Sequence, residues 1–131
     1  MLERLEQLEE NIARLKLFRS QKSVEDIQKN PFDEWALRYG LFESIQIVID
    51  LACHLVGKYN LGATKSYSEC IERLERYGYI DQNLSKKLIA AIGLRNLLIH
   101  EYIKIDQEKL YSFLDHIDNF GAFIQSIESY I

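Results

Sequence analysis

The strongest constraint on how this chain folds lies between Pro31 and Gly57, where Phe32, Trp35, Ala36, Tyr39, Phe42, Ile45, Val48, Ile49, Ala52, Cys53 and Val56 recur at helical spacing. The segment predicts one helix about 40 Å long. Arg38, Glu43 and Asp50 interrupt its apolar face. A helix this apolar has to be covered by others, so it is expected at the centre of a helical bundle. Asp50, set between Ile49 and Leu51, either pairs with an arginine of another helix or faces water at the rim.

The flanking segments supply the covering helices. From Leu2 to about Arg19, Leu5, Leu8, Ile12, Leu15 and Phe18 recur at three- and four-residue steps with charged residues between them. The pattern lasts too briefly for a long coiled coil and reads as an amphipathic bundle helix. Ser23 with Asp26 three residues on predicts a capping box for a short helix, Val24 to Lys29, which Asn30-Pro31 ends. Ser66 with Glu69 opens a helix carrying Cys70, Ile71 and Leu74, and Gly78 stops it. Asp81 or Asn83 caps the next helix, and Asp106 caps a last one whose stripe is Leu110, Phe113, Leu114, Ile117, Phe120, Ile124 and Ile127. No repeat, low-complexity tract or strand pattern appears. The expectation is a single all-α domain over residues 1–131 with four to five main helices.

Composition narrows the function classes. A formal charge of −4 and a pI near 5.4 argue against a protein that coats nucleic acid non-specifically, so any RNA contact must be local. Lys58, Lys65, Lys86, Lys87 and Lys104 would form a local basic rim if the fold gathers them. Cys53 and Cys70 lack metal or CxxC spacing and are expected as reduced, packed thiols in a cytoplasmic protein. No apolar leader opens the chain, and no stretch is expected to reach the roughly 18 apolar residues that span a bilayer. His54, His100 and His116 have no ligand-spaced neighbours, so neither a metal nor another cofactor is expected.

Chemistry concentrates in Gly93-Leu94-Arg95-Asn96-Leu97-Leu98-Ile99-His100-Glu101-Tyr102, which keeps four polar side chains in an apolar run. Unpaired, such groups are costly to bury, so they are satisfied structurally or exposed at a site. The structural alternative pairs His100 with Asn96 or Glu101, puts Arg95 in a salt bridge and leaves Tyr102 at the core edge. The functional alternative is acid–base chemistry on a phosphate: an imidazole moves protons near neutral pH, and a guanidinium grips phosphate oxygens through its planar fork. With no metal site and no phosphate-cradling loop, that chemistry would be metal-free RNA cleavage, the ribose 2′-OH attacking the adjacent phosphorus. On a regular helix Arg95 and His100 lie roughly 140° apart. Both reach one atom only if the helix ends near His100, the Arg reaches round, or a second copy supplies half of the site.

These residues carry a resemblance. Leu94 to Tyr102 looks like the Arg-Asn-x-x-x-His-x-Tyr motif of the HepT-like toxins of the HEPN superfamily. Trp35 to Gln46 followed by Ile49-Asp50-Leu51-Ala52 is similar to that family's central helix, and Tyr77-Gly78-Tyr79-Ile80 and Ile105-Asp106 also fit. The resemblance implies an up-and-down α-helical bundle that forms a homodimer with the two motifs in one cleft. It implies a toxin whose partner is an MNT-type nucleotidyltransferase antitoxin, with RNA as substrate and neither DNA nor membrane as partner. It places Arg95 and His100 as the catalytic pair, Asn96 as the supporting polar residue, and Tyr102 as the tyrosine that receives AMP. The rival reading is a HEPN bundle that presents a substrate or nucleotide to a nucleotidyltransferase and cuts nothing.

Overall fold

The computed structural model describes residues 1–100 and 104–131, and among these every regular element is helical. The order is α1 (Leu2–Gln21), α2 (Val24–Lys29), α3 (Pro31–Lys58), α4 (Tyr67–Arg76), α5 (Gln82–Ile99), α6 (Gln107–Ser112), a 3₁₀ turn (Phe113–His116), α7 (Asp118–Ile127) and a second 3₁₀ turn (Glu128–Tyr130).

Most boundaries follow from local chemistry. At α2 the Ser23 hydroxyl accepts from the Asp26 N–H at 3.3 Å while the Asp26 carboxylate accepts from the Ser23 N–H at 2.7 Å, the expected capping box. The Ser23 N–H, and after it the Ser23 hydroxyl, hold the Asp26 carboxyl below the usual carboxylate range. Asn30 caps α3 through the Phe32 N–H at 3.0 Å, with Pro31 in the first turn, where its missing N–H costs nothing. Ser66 caps α4 through the Glu69 N–H, but the Glu69 carboxylate bonds the Lys65 N–H rather than that of Ser66. Gly78, at φ +81°, ends α4 in a left-handed turn that sends the Tyr79 N–H to the Leu74 carbonyl at 2.9 Å. Asp81, not Asn83, caps α5, accepting from the Leu84 N–H at 2.7 Å.

Helix α3 is the axis, with α1, α2, α4, α5 and α7 all packed against it. Its inward face differs from the expected one in its first half. Leu37, Leu41, Ser44 and Ile45 are buried there, whereas Phe32, Trp35 and Tyr39 are 71%, 63% and 64% exposed. A helix that is apolar most of the way round gives its sequence no phase, and the neighbours choose the buried face. By length and composition α3 also passes as a membrane span, contrary to the sequence expectation. Its fully buried Leu37, Leu41, Ile45, Ile49, Leu51 and Leu55 fill the bundle core instead. Of the polar side chains that enter the core, Ser44 and Asn11 are satisfied, Ser44 by donating to the Gly40 carbonyl at 2.6 Å, whereas the Ser85 hydroxyl has no hydrogen-bond partner among the described residues. Buried Asn11 accepts from Gln7 at 3.0 Å and donates to the Glu43 carboxylate at 2.9 Å. The Tyr39 hydroxyl, 2.6 Å from that carboxylate, is the main reason Glu43 stays ionised below its usual range, with Asn11 second.

The C-terminal stripe is not one helix. Leu110, Leu114, Ile117, Phe120, Phe123, Ile124 and Ile127 are buried as a continuous seam while Phe113 is only partly covered, and the backbone tightens to 3₁₀ at Phe113–His116. The Arg19 guanidinium of α1 takes the Leu114 carbonyl at 3.0 Å, which fixes the bend against the first helix.

The cysteines correct the sequence expectation. Cys53 of α3 and Cys70 of α4 form a disulfide, with Cα atoms 5.1 Å apart and a sequence separation of 17. Periodicity placed each thiol on its helix, but only the packing of α4 on α3 brings them together. Closing a loop of this size should add about 3 kcal/mol. Urea unfolding of the wild type with and without dithiothreitol should differ by about that amount, and the Cys53→Ser, Cys70→Ser double variant should match the reduced protein. Identical curves in both conditions would mean that the pair exists as thiols.

Candidate active site

Three elements meet at Arg95: the last turns of α5, the outer flank of α3 and the start of α4. The Arg95 side chain is half-buried, and its Nε–H donates to the side-chain Oε1 of Gln46 in α3 at 3.0 Å. One terminal nitrogen donates to the side-chain Oδ1 of Asn96 at 3.1 Å. Its guanidinium carbon lies 5.6 Å from the Phe42 ring centroid and 5.2 Å from that of Tyr67, within cation–π range of both. Among the described residues no carboxylate pairs with Arg95, so the expected structural salt bridge is replaced by contacts that leave its charge in place.

Asn96 is exposed beside Arg95 and lines a hollow of about 510 Å³ with Lys65, Ser66, Tyr67 and the Cys53–Cys70 bridge. His100 is the residue after the last helical position of α5. Its N–H bonds the Leu97 carbonyl at 3.2 Å, and its ψ of 81° turns the chain off the helical path. One of the three sequence conditions for a shared site, a helix that ends near His100, is therefore met. Tyr102 lies outside the described residues.

Asp50 resolves in favour of pairing. Its carboxylate lies 3.6 Å from the Arg4 guanidinium of α1 and accepts from the Gln46 amide nitrogen at 2.9 Å. Gln46 and Tyr67 were not among the residues singled out in the sequence. The available signal was the line Phe42, Gln46, Asp50 at four-residue spacing on an otherwise apolar helix, which puts all three on one flank. The lysines are only partly gathered. Lys65 lines the hollow beside Asn96, and Lys104 joins Arg38, Trp35, Tyr39, Phe42 and Ile99 around a groove of about 910 Å³. Lys58 instead donates to the Tyr130 carbonyl at 2.9 Å, and Lys87 borders a separate hollow with Asp81 and Asp118.

The structure is thus an all-α bundle in which an arginine that pairs with no carboxylate among the described residues stands five residues before the histidine that ends its helix. The chain belongs to the HepT-like ribonuclease family, whose profile, described as Ribonuclease HepT-like, matches residues 8–127. It is 27% identical over 130 residues to the tRNA nuclease HepT of Aphanizomenon flos-aquae, spanning 98% of this chain and 87% of that one. It is 29% identical over 82 residues, 62% of each chain, to the mRNA nuclease HepT of Shewanella oneidensis. Its fold matches the tri-AMPylated Shewanella oneidensis HEPN toxin, solved in complex with MNT antitoxin, at a TM-score of 0.88 and 22% identity, covering 98% of this chain and 96% of that one.

Proposed function

We propose that this protein is the toxin of a type VII toxin–antitoxin pair, a metal-independent endoribonuclease acting in the cytoplasm. The observation that carries the reading is the placement of Arg95, anchored by Gln46 and Asn96 with its charge intact, five residues before a His100 that ends the same helix. Family membership supports RNA as the substrate. The ribose 2′-oxygen attacks the neighbouring phosphorus, the bond from phosphorus to the 5′-oxygen breaks, and a 2′,3′-cyclic phosphate and a 5′-hydroxyl result. His100 takes the 2′-OH proton or protonates the leaving 5′-oxygen, Arg95 balances the charge that builds on the phosphorane, and Asn96 supports Arg95.

In this reading the chain works as a homodimer. Trp35, Tyr39 and Ile99 are exposed around the groove that carries Arg38 and Lys104, and exposed Phe32 stands against Trp35, an apolar surface that a second copy would cover while bringing in its own motif. The partner is an MNT-type nucleotidyltransferase, which the AMPylated toxin complex of similar fold supports, and its target here is Tyr102. AMP on that tyrosine, seven residues along the chain from Arg95, adds negative charge and bulk that would compete with RNA.

Bulk tRNA and an mRNA transcript, incubated with the protein in EDTA, test the reading. Cleavage should persist and leave cyclic-phosphate and 5′-hydroxyl ends; 3′-hydroxyl ends or a metal requirement would remove the mechanism. Incubation with the nucleotidyltransferase, ATP and Mg²⁺ should add AMP to the wild type but not to Tyr102→Phe. RNA cleavage that continues undiminished after modification would rule out Tyr102 as the off switch.

A further inference from the structure

We propose that Gln46, itself held by Asp50, is the positioning residue that orients Arg95 for phosphate while leaving the arginine's positive charge un-neutralised. The proposal rests on the reading that Arg95 meets an RNA phosphate. It stands on a line of three hydrogen-bonding groups, Asp50 to Gln46 at 2.9 Å and Gln46 to Arg95 at 3.0 Å, that crosses from α3 to α5.

The chemistry of the three groups permits one arrangement. A carboxylate only accepts and a guanidinium only donates, whereas a carboxamide does both. Asp50 therefore turns the amide nitrogen of Gln46 towards itself, and the amide oxygen is left facing the Arg95 Nε–H. Arg4, 3.6 Å from Asp50, offsets the carboxylate's charge on its far side. Arg95 thus receives an oriented neutral acceptor backed by a buttressed anion. A carboxylate at position 46 would form a direct ion pair with the guanidinium and compete with a phosphate for the same donors. With Nε bonded to Gln46, one terminal nitrogen to Asn96, and the rings of Phe42 and Tyr67 within cation–π distance, the guanidinium is confined before any substrate arrives. Its remaining N–H donors are uncommitted among the described residues.

The two substitutions at position 46 should fail in opposite ways. Gln46→Met keeps the length and removes both hydrogen bonds, so kcat on bulk tRNA should fall about tenfold or more with KM little changed. Gln46→Glu keeps an acceptor on Arg95 but neutralises it, so KM should rise about tenfold with the smaller change in kcat. Asp50→Leu, which removes the acceptor that orients the Gln46 amide, should behave like Gln46→Met. Combined with Arg95→Ala, Gln46→Met should cost nothing further, because it acts only through that arginine. Additive losses in this pair, or the same kinetic signature for Gln46→Met and Gln46→Glu, would overturn the proposal. The Arg95 Nε–H resonance in ¹⁵N-labelled protein, assigned by its disappearance in Arg95→Ala, separates this idea from the ribonuclease reading. It should lose its hydrogen-bonded shift and its protection from exchange in Gln46→Met, and an unchanged resonance would overturn the positioning role. Should wild type cut no RNA, the ribonuclease reading fails and the resonance alone decides this one. If Gln46→Met does not fold by circular dichroism, Gln46→Ser serves in its place.

Discussion

Replacing Arg95 or His100 with Ala should slow RNA cleavage by about 100-fold or more, the loss expected when a donor to the developing oxyanion or a general acid–base group is removed. Neither change should unfold the protein. His100 follows the last turn of α5 and is exposed, and Arg95 contributes polar contacts at the flank of the core rather than apolar burial. Single-turnover rates on bulk tRNA, with circular dichroism and urea midpoints as controls, give the measurement. Arg95→Lys should recover little, because an ammonium is a point charge that lacks the planar fork needed to bond Gln46, Asn96 and a phosphate together. A His100→Ala variant that cuts at the wild-type rate would leave the imidazole without a chemical role, and the binding-module alternative would then account better for the motif.

The largest stability effect should come from Phe123→Ala, at about 3–5 kcal/mol. Phe123 is fully buried in α7, the helix that closes the bundle against α1, α3 and α5, so its ring belongs to the buried seam that runs from α6 through α7. Truncation removes apolar contact and leaves a void that helices pinned at both ends close only in part. Phe32→Ala is the internal control, since a ring 71% exposed on the outer flank of α3 should change the unfolding free energy of the isolated protomer by no more than about 0.5 kcal/mol. The pair is measured by urea denaturation at low protein concentration. A cost below about 1 kcal/mol for Phe123→Ala would mean that α7 does not unfold with the rest of the core.

Helix positions and most of their ends were legible in the chain because their causes are local. The Ser23–Asp26 box, Asn30-Pro31, Ser66, Asp81 and Gly78 act over a few residues, and the structure uses each of them at or next to the expected end. Arg95, Asn96 and His100 were also legible, since their polarity stands out in an apolar run and their spacing is a property of one segment. Less could be read from the last helix, where an unbroken apolar stripe concealed a 3₁₀ bend that depends on Arg19, some 95 residues away, taking the Leu114 carbonyl.

By itself, then, the sequence determined an all-helical chain, its caps, its family and the segment in which its chemistry is concentrated, all of them carried by near-neighbour periodicity and motif. Tertiary structure alone decided which face of α3 is buried, that Cys53 meets Cys70, that Asp50 meets Arg4, and that Arg95 bonds Gln46 within cation–π distance of Phe42 and Tyr67. Each of these joins residues from different helices. Their meeting is set by how α1, α4 and α5 pack against a central helix that is apolar on nearly every side, and such a helix carries no mark in its own sequence of which neighbour will cover which face.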